Sequence, residues 1–270
     1  MPLNNDGIVH LVVPCFNEAA RLDSAAFERA LRDMPWLALC FVNDGSTDDT
    51  RVVLEGIRGA CPSRVLVMSL PNNVGKAEAV RQGLLAVSEG DTICGFWDAD
   101  LAAPLSELPA LRALLTENTR FEWAWGIRVR TLGRHITRRA WRHYLGRVFA
   151  TVASMALGVP SYDTQCGAKL FRASPLLRAV IAEPFDSRWI FDVELVSRAE
   201  ALLRASGMPG VEQLVIEYPL STWCHRGGSK VRSTDFLSAL GELARIRAGR
   251  GRWFRPMTDW RSPGAEAGTH

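Results

Sequence analysis

Apolar residues in this chain of 270 residues fall into short, nearly continuous runs, each closed by a polar cluster. Ile8–Val13, Leu37–Val42, Val65–Leu70 and Thr92–Trp97 are such runs. Their length and their β-branched and aromatic content predict buried strands. Apolar spacing of three and four residues predicts helices over Ala25–Met34, after Thr47, from Lys76 to about Ser88, and over Leu105–Leu115. Ser46 or Thr47 is placed to cap the second of these, with acids in its first turn. Strands that alternate with helices imply a parallel sheet with right-handed crossovers. The clusters Asn17/Glu18, Asp44 and Asp98/Asp100 then share one rim, at the carboxyl ends of the strands, where open α/β sheets bind ligands.

Beyond Gly126 the character changes. From Trp123 to Tyr162 there are seven arginines and no acid. Arg134, Arg138 and Arg142 recur at four-residue spacing and line one helical face, which suits a phosphate or an anionic surface; a solvated basic face is the plainer reading. Arg188 to Leu195 opens a further helix. Val211–Tyr218 reads as a late strand and Pro219–Lys230 as a Gly-rich loop. Thr234–Ala248 reads as an amphipathic helix, followed by a basic aromatic tail, Arg250–Arg255. Ser262–His270 has the composition of a disordered end. No repeat or linker divides the chain, so one domain is expected.

Residues i and i+2 of an extended chain point to the same side, so Asp98 and Asp100 can face one divalent cation. Mg²⁺ or Mn²⁺ takes carboxylate oxygens together with substrate phosphate oxygens. The same pair is also good turn chemistry before Leu101. Lys76 follows a glycine at a helix start and can reach a phosphate beside the helix dipole. Asp44 before Gly45 is equally a plain turn residue. The totals exclude little: 47% hydrophobic and 23% charged residues are a globular balance, and a net charge of +3 does not call for nucleic acid. Six scattered cysteines without a CxxC point to a reducing compartment. Neither a signal peptide nor a spanning run is read, which gives the expectation of a cytosolic protein or one resting on a membrane.

Val13-Pro14-Cys15-Phe16-Asn17-Glu18, Asn43-Asp44-Gly45-Ser46-Thr47-Asp48, Asn73-Val74-Gly75-Lys76 and Asp98-Ala99-Asp100 together resemble the nucleotide-sugar half of family 2 glycosyltransferases of the GT-A fold. Asp163–Phe171, Arg188–Leu195 and Trp223…Gly228-Ser229-Lys230-Val231 are similar to the dolichyl- and polyprenyl-phosphate β-glucosyltransferase branch. The chain departs from that pattern in having Gly126-Ile127-Arg128 for Gly-Ser-Arg and Gly167-Ala168-Lys169 for Gly-Phe-Lys. The resemblance implies an α/β GT-A domain over 8–231, with a nucleotide-sugar half (8–126) and an acceptor half (127–231). A helix and basic tail over 232–256 and a disordered 257–270 would follow.

The implied reaction is inverting transfer of a sugar, glucose by the family pattern, from a UDP-sugar to a polyprenyl phosphate at the cytosolic membrane face. Mg²⁺ or Mn²⁺ would sit on Asp98 and Asp100. The donor would be held by Pro14, Phe16, Glu18, Asp44 (on the uracil N3–H), Lys76, Asp98, Arg188 and Lys230, with Asp192 helping to close the site. The acceptor would meet Arg128, Arg134, Arg138 or Arg139, and Gln165. Asp163 would be the base for a hydroxyl acceptor, or would orient a phosphate acceptor, which is already ionised. Trp189, Trp223 and His225 are further candidates near the sugar or diphosphate. A soluble enzyme with a hydroxyl acceptor, or a nucleotide-binding scaffold without catalysis, are the competing readings.

Overall fold

The first four strands of the computed structural model follow the apolar runs. It describes residues 7–88, 93–129, 135–137, 162–188, 190–224, 234–253 and 256–257. β1 (Val9–Cys15) lies between β2 (Leu37–Asp44) and β4 (Ile93–Trp97), and β3 (Val65–Leu70) flanks β2; all these pairings are parallel. α1 (Ser24–Asp33), α2 (Thr50–Ala60) and α3 (Lys76–Val87) make the crossovers. The side chain of Asp23 caps α1 by accepting from the Ala26 N–H at 3.0 Å. α3 presses close to the sheet because Gly83 has no Cβ; one there would fall 2.4 Å from Val12 Cγ1.

Past α4 (Leu108–Thr116) the pattern breaks. β5 (Trp123–Ile127) does not join β4. β7 (Ala168–Arg172) inserts between them, antiparallel to both, and β8 (Val215–Pro219) pairs parallel with β5. The sheet has seven strands in the order β3-β2-β1-β4-β7-β5-β8, so it is mostly parallel with one reversed strand. β6 (His135–Thr137) and β9 (Thr222–Cys224) form a separate two-stranded ribbon. Because β7 runs backwards, its start lies beside the end of β4: Trp97 pairs with Ala168, and the Asp98 N–H donates to Gly167 O at 3.0 Å. The turn 163–167 therefore reaches the same rim as the carboxyl ends of β1, β2 and β4.

Alternate strand residues feed two apolar clusters, one on each face. Val12, Phe96, Trp123, Trp125 and Phe171 belong to one, and Leu11, Phe41, Trp97, Ala124 and Leu170 to the other. α5 (Pro175–Ile181) and α6 (Phe191–Ala205) cover the first face. Every residue of α6 from Phe191 to Leu203 is buried. Its charged residues are therefore paired: Arg198 donates to Glu194 Oε1 and to the carbonyls of Val180, Glu183 and Pro184.

Two expectations are corrected. Val211–Tyr218 is not all strand: α7 (Val211–Leu214) precedes β8, because Glu200 Oε2 accepts from the Val211 N–H at 2.9 Å and curls the chain there. Ser46 and Thr47 do not cap α2; Asp49 takes that place without a side-chain bond. Ser46 Oγ accepts instead from the Asn17 N–H, and the Thr47 N–H donates to Asn17 Oδ1, which latches the ends of β1 and β2 together. The described part of the tail packs on the protein. After α8 (Thr234–Gly249), Arg250–Trp253 form a 3₁₀ turn; Trp253 is buried with Arg198 4.0 Å from its ring centroid, and Arg252 pairs with Asp186.

Candidate active site

The rim holds three loops from the first half of the chain. Pro14 and Phe16 are half-buried at the end of β1, and Phe16 lines a cavity of about 620 Å³ with Asn43, Gly45, Arg51, Ser69 and Asn73. Asp44 is buried, and its carboxylate accepts from three groups of one loop. These are Val74 N–H at 2.7 Å, Gly75 N–H at 2.9 Å and Asn73 Nδ2 at 3.0 Å. This is more than an isolated turn: Asp44 fixes the segment that carries Lys76. Gly45, at φ +62°, lies so close to that segment that a Cβ would fall 2.4 Å from Asn72 C.

Lys76 opens α3 and reaches back over the end of β4, where Nζ lies 2.5 Å from Asp98 Oδ1. The ammonium is crowded by protein, yet 41% of the side chain stays accessible, so the cleft is open to water. Burial works against its charge, but Asp98 and then Asp192 outweigh it and hold Lys76 above the ordinary lysine range. The exposed guanidinium of Arg188 hangs over Gly75, where a Cβ would be 3.7 Å from Nε. Two cations thus converge at a helix start, the ordinary place for an anion.

Asp98 and Asp100 come together by a turn rather than by strand alternation. β4 ends at Trp97, and the Leu101 N–H closes on Asp98 O at 3.1 Å. Leu101 has φ +50°, a left-handed conformation that costs a residue with a Cβ about 1–2 kcal/mol. Burial first, and Asp98 second, raise the Asp100 carboxyl above its usual range. Arg21 stands near Asp100 and forms a two-pronged pair with Glu18, so Glu18 is already partnered. The carboxylate of Asp98 lies against Gly167: a Cβ there would be 2.0 Å from Oδ2.

The other side of the rim is held by one strong pair. Arg128, just past β5, gives Nε to Asp163 Oδ2 at 2.6 Å and Nη2 to Oδ1 at 2.7 Å. Its backbone N–H donates to Oδ2 as well, at 3.2 Å. Burial opposes the guanidinium charge, but Asp163 more than offsets it and raises Arg128 above the ordinary arginine range. The fork assigned from sequence to an acceptor phosphate is thus engaged by Asp163, using two of five N–H donors. Trp223 faces the guanidinium, 5.5 Å from ring centroid to Cζ. Gln165 is exposed on the adjoining turn. Arg134, Arg138, Arg139, Arg142, Trp189, His225, Lys230, Phe254 and Arg255 lie outside the described residues.

Sequence reasoning missed Gly167, Arg21 and Lys169. Lys169 is only 1% accessible and pairs with Asp192 at 2.7 Å beneath the cleft. A lysine inside the apolar strand Ala168–Phe171 was the available signal, since a buried charge requires a partner.

No cluster of three or more His, Cys, Asp and Glu side chains among the described residues could enclose a metal ion alone. Two hard carboxylates with one raised carboxyl do fit a hard divalent ion that completes its shell with substrate oxygens. No helix among the described residues is long and apolar enough to cross a membrane.

Comparison with known proteins agrees with this architecture. The model of Glycosyl transferase family 2 matches residues 10–178. A dolichyl-phosphate beta-glucosyltransferase of Mus musculus is 30% identical over 239 residues, covering 82% of this chain and 68% of that protein. One from Trichomonas vaginalis is 29% identical over 247 residues, covering 87% and 69%. Among solved structures, glucosyl-3-phosphoglycerate synthase of Mycobacterium tuberculosis in complex with UDP superposes with a TM-score of 0.66 at 19% identity. It covers 90% of this chain and 81% of that one, a likeness of fold. The mostly parallel sheet, the paired aspartates at its rim and the family match agree: this chain belongs to glycosyltransferase family 2 and has the GT-A fold.

Proposed function

We propose that the chain transfers a sugar, glucose by its relatives' names, from a UDP-sugar to a polyprenyl phosphate, with inversion at the anomeric carbon. The observation that carries this reading is the convergence on one rim of Asp98 and Asp100, Lys76 with Arg188, and the Arg128–Asp163 pair.

The donor side is residues 8–126. Pro14, Phe16, Glu18 and Asp44 border the nucleoside. Asp44 has three loop donors, which leaves about one of its four acceptor positions for a uracil N–H. Asp98 and Asp100 would hold Mg²⁺ or Mn²⁺, which supplies Lewis-acid neutralisation of the leaving diphosphate. Lys76 and Arg188 face the same charge, with Lys230 assigned there by resemblance. The acceptor side is residues 127–231. A lipid phosphate arrives ionised, so its oxygen attacks the anomeric carbon opposite UDP while the bond to UDP breaks. No residue has to remove a proton, and Asp163 acts by placing Arg128, whose remaining donors face the acceptor anion. Gln165, Arg134 and Arg138 extend that side. We place the reaction at the cytosolic face of a membrane, held by the basic stretch 128–147 rather than by Trp253, which is buried.

The test is UDP release from UDP-glucose and other UDP-sugars with Mn²⁺, with and without a short-chain polyprenyl phosphate. Release that depends on the lipid phosphate supports the reading. Equal turnover with a water-soluble hydroxyl acceptor and none with the lipid would replace it by the soluble enzyme.

A further inference from the structure

Asp98 has little freedom to serve a metal ion as it stands. Its carboxylate is laid against Gly167, and a Cβ on that residue would fall 2.0 Å from Oδ2 and 2.4 Å from Oδ1. Its backbone N–H is tied to Gly167 O. The oxygen Oδ1 is bonded to Lys76 Nζ at 2.5 Å. An ion entering between Asp98 and Asp100 would therefore meet an ammonium already in place. Lys76 itself is free to leave. Its stem is flexible, 41% of its side chain is accessible, and the rings of Phe96 and Phe191 each lie 5.9 Å from Nζ as a second resting face. Arg188 over Gly75 marks where an anion would draw it.

We propose that Lys76 is a built-in stand-in cation: its ammonium occupies Asp98 and keeps a divalent ion out until a nucleotide diphosphate draws it away. This rests on the metal reading of Asp98 and Asp100 above. The diphosphate brings its own negative charge and takes over Lys76 as counter-ion. Asp98 then has an open oxygen, and the ion gains phosphate oxygens at the same moment. Metal and nucleotide become mutually dependent, each raising the other's affinity by the same factor. Protein without nucleotide would not sequester metal, and nucleotide would be held firmly only with its ion.

The experiment is Mn²⁺ titration of the whole 270-residue chain, followed by electron paramagnetic resonance and calorimetry, with and without UDP. For the native chain, UDP should tighten Mn²⁺ by on the order of 10-fold or more. Lys76→Met should bind Mn²⁺ without UDP up to about 5-fold more tightly than the native chain, and UDP should tighten it by correspondingly less, leaving only the part that the phosphate oxygens supply. Lys76→Arg, which keeps the charge, should behave as the native chain does and separates charge from packing. Thermal unfolding checks that each variant is folded. A Lys76→Met protein that binds Mn²⁺ no better than the native chain overturns the proposal. If Mn²⁺ binds neither protein even with UDP, and Asp98→Asn changes nothing, the metal reading itself fails and the coupling falls with it.

Discussion

Two lysine–aspartate pairs lie against the ring of Phe96, and they are built for different purposes. Lys76 and Asp98 meet at 2.5 Å with 41% and 36% of their side chains accessible. Lys169 and Asp192 meet at 2.7 Å with 1% and 6% accessible. Water reaches the first pair, so its attraction is screened and separating it costs at most about 1 kcal/mol. The second pair has no water to replace either partner, and breaking it strands a buried charge. An ion pair that must exchange partners during a reaction cycle belongs where it can open; one that fixes the start of a helix belongs where it cannot. α6 begins at Phe191, so Asp192 sits in its first turn, where the helix dipole also favours a carboxylate.

The strongest way to break this contrast is at Asp98. Asp98→Ala should lower transfer at least about 1000-fold, since metal stabilisation of a leaving diphosphate is worth several kcal/mol. The unfolding midpoint in urea should stay near the native value. Appreciable turnover of this variant in EDTA would remove Asp98 from the chemistry.

Lys169→Met should behave in the opposite way. It leaves Asp192 buried and unpaired, at a cost of about 3–5 kcal/mol in stability measured by urea unfolding. Replacing both partners, Lys169→Met with Asp192→Leu, should recover most of that loss, as apolar replacement of a buried pair is often neutral. If the single variant were as stable as the native chain, the pair would not be the clamp described.

Asp44 has a smaller effect, on a carboxylate that serves a loop. Asp44→Ala removes the acceptor of three bonds to residues 73–75 and should weaken UDP by about 1–3 kcal/mol, measured by calorimetry. Unchanged UDP affinity would mean that the loop holds itself. The smallest expected change is the stability of Lys76→Met, within about 1 kcal/mol of native. A larger loss would show that the open pair is as structural as the closed one.

The sequence discloses the part of the rim built by the parallel strands better than the part around Arg128 and Asp163, for a physical reason. Asp44, Lys76 and Asp98 each stand next to a strand end that apolar periodicity locates, and a parallel sheet puts such ends on one rim whatever the details. Partnerships are another matter. Arg128 meets Asp163, and Asp98 meets Gly167, only because β7 runs backwards beside β4. The turn that unites Asp98 with Asp100 depends on Leu101 at φ +50°, a conformation that a leucine does not advertise. Trp253 stands in a basic tail whose composition does not disclose that Arg198 faces its ring.

The reversed strand also orders events while the chain is being made. β4 is complete at Trp97, but the strand that covers its open edge follows about 70 residues later. During that interval a nascent chain exposes Ile93–Trp97 as an unpaired edge, all of it apolar and ready to pair with another chain. The aspartates at the tip of that edge cannot take their final geometry until Gly167 has emerged to receive Asp98. Completing the rim and closing the sheet are therefore one step, and a chain cut before Arg172 would be at once inactive and prone to aggregate.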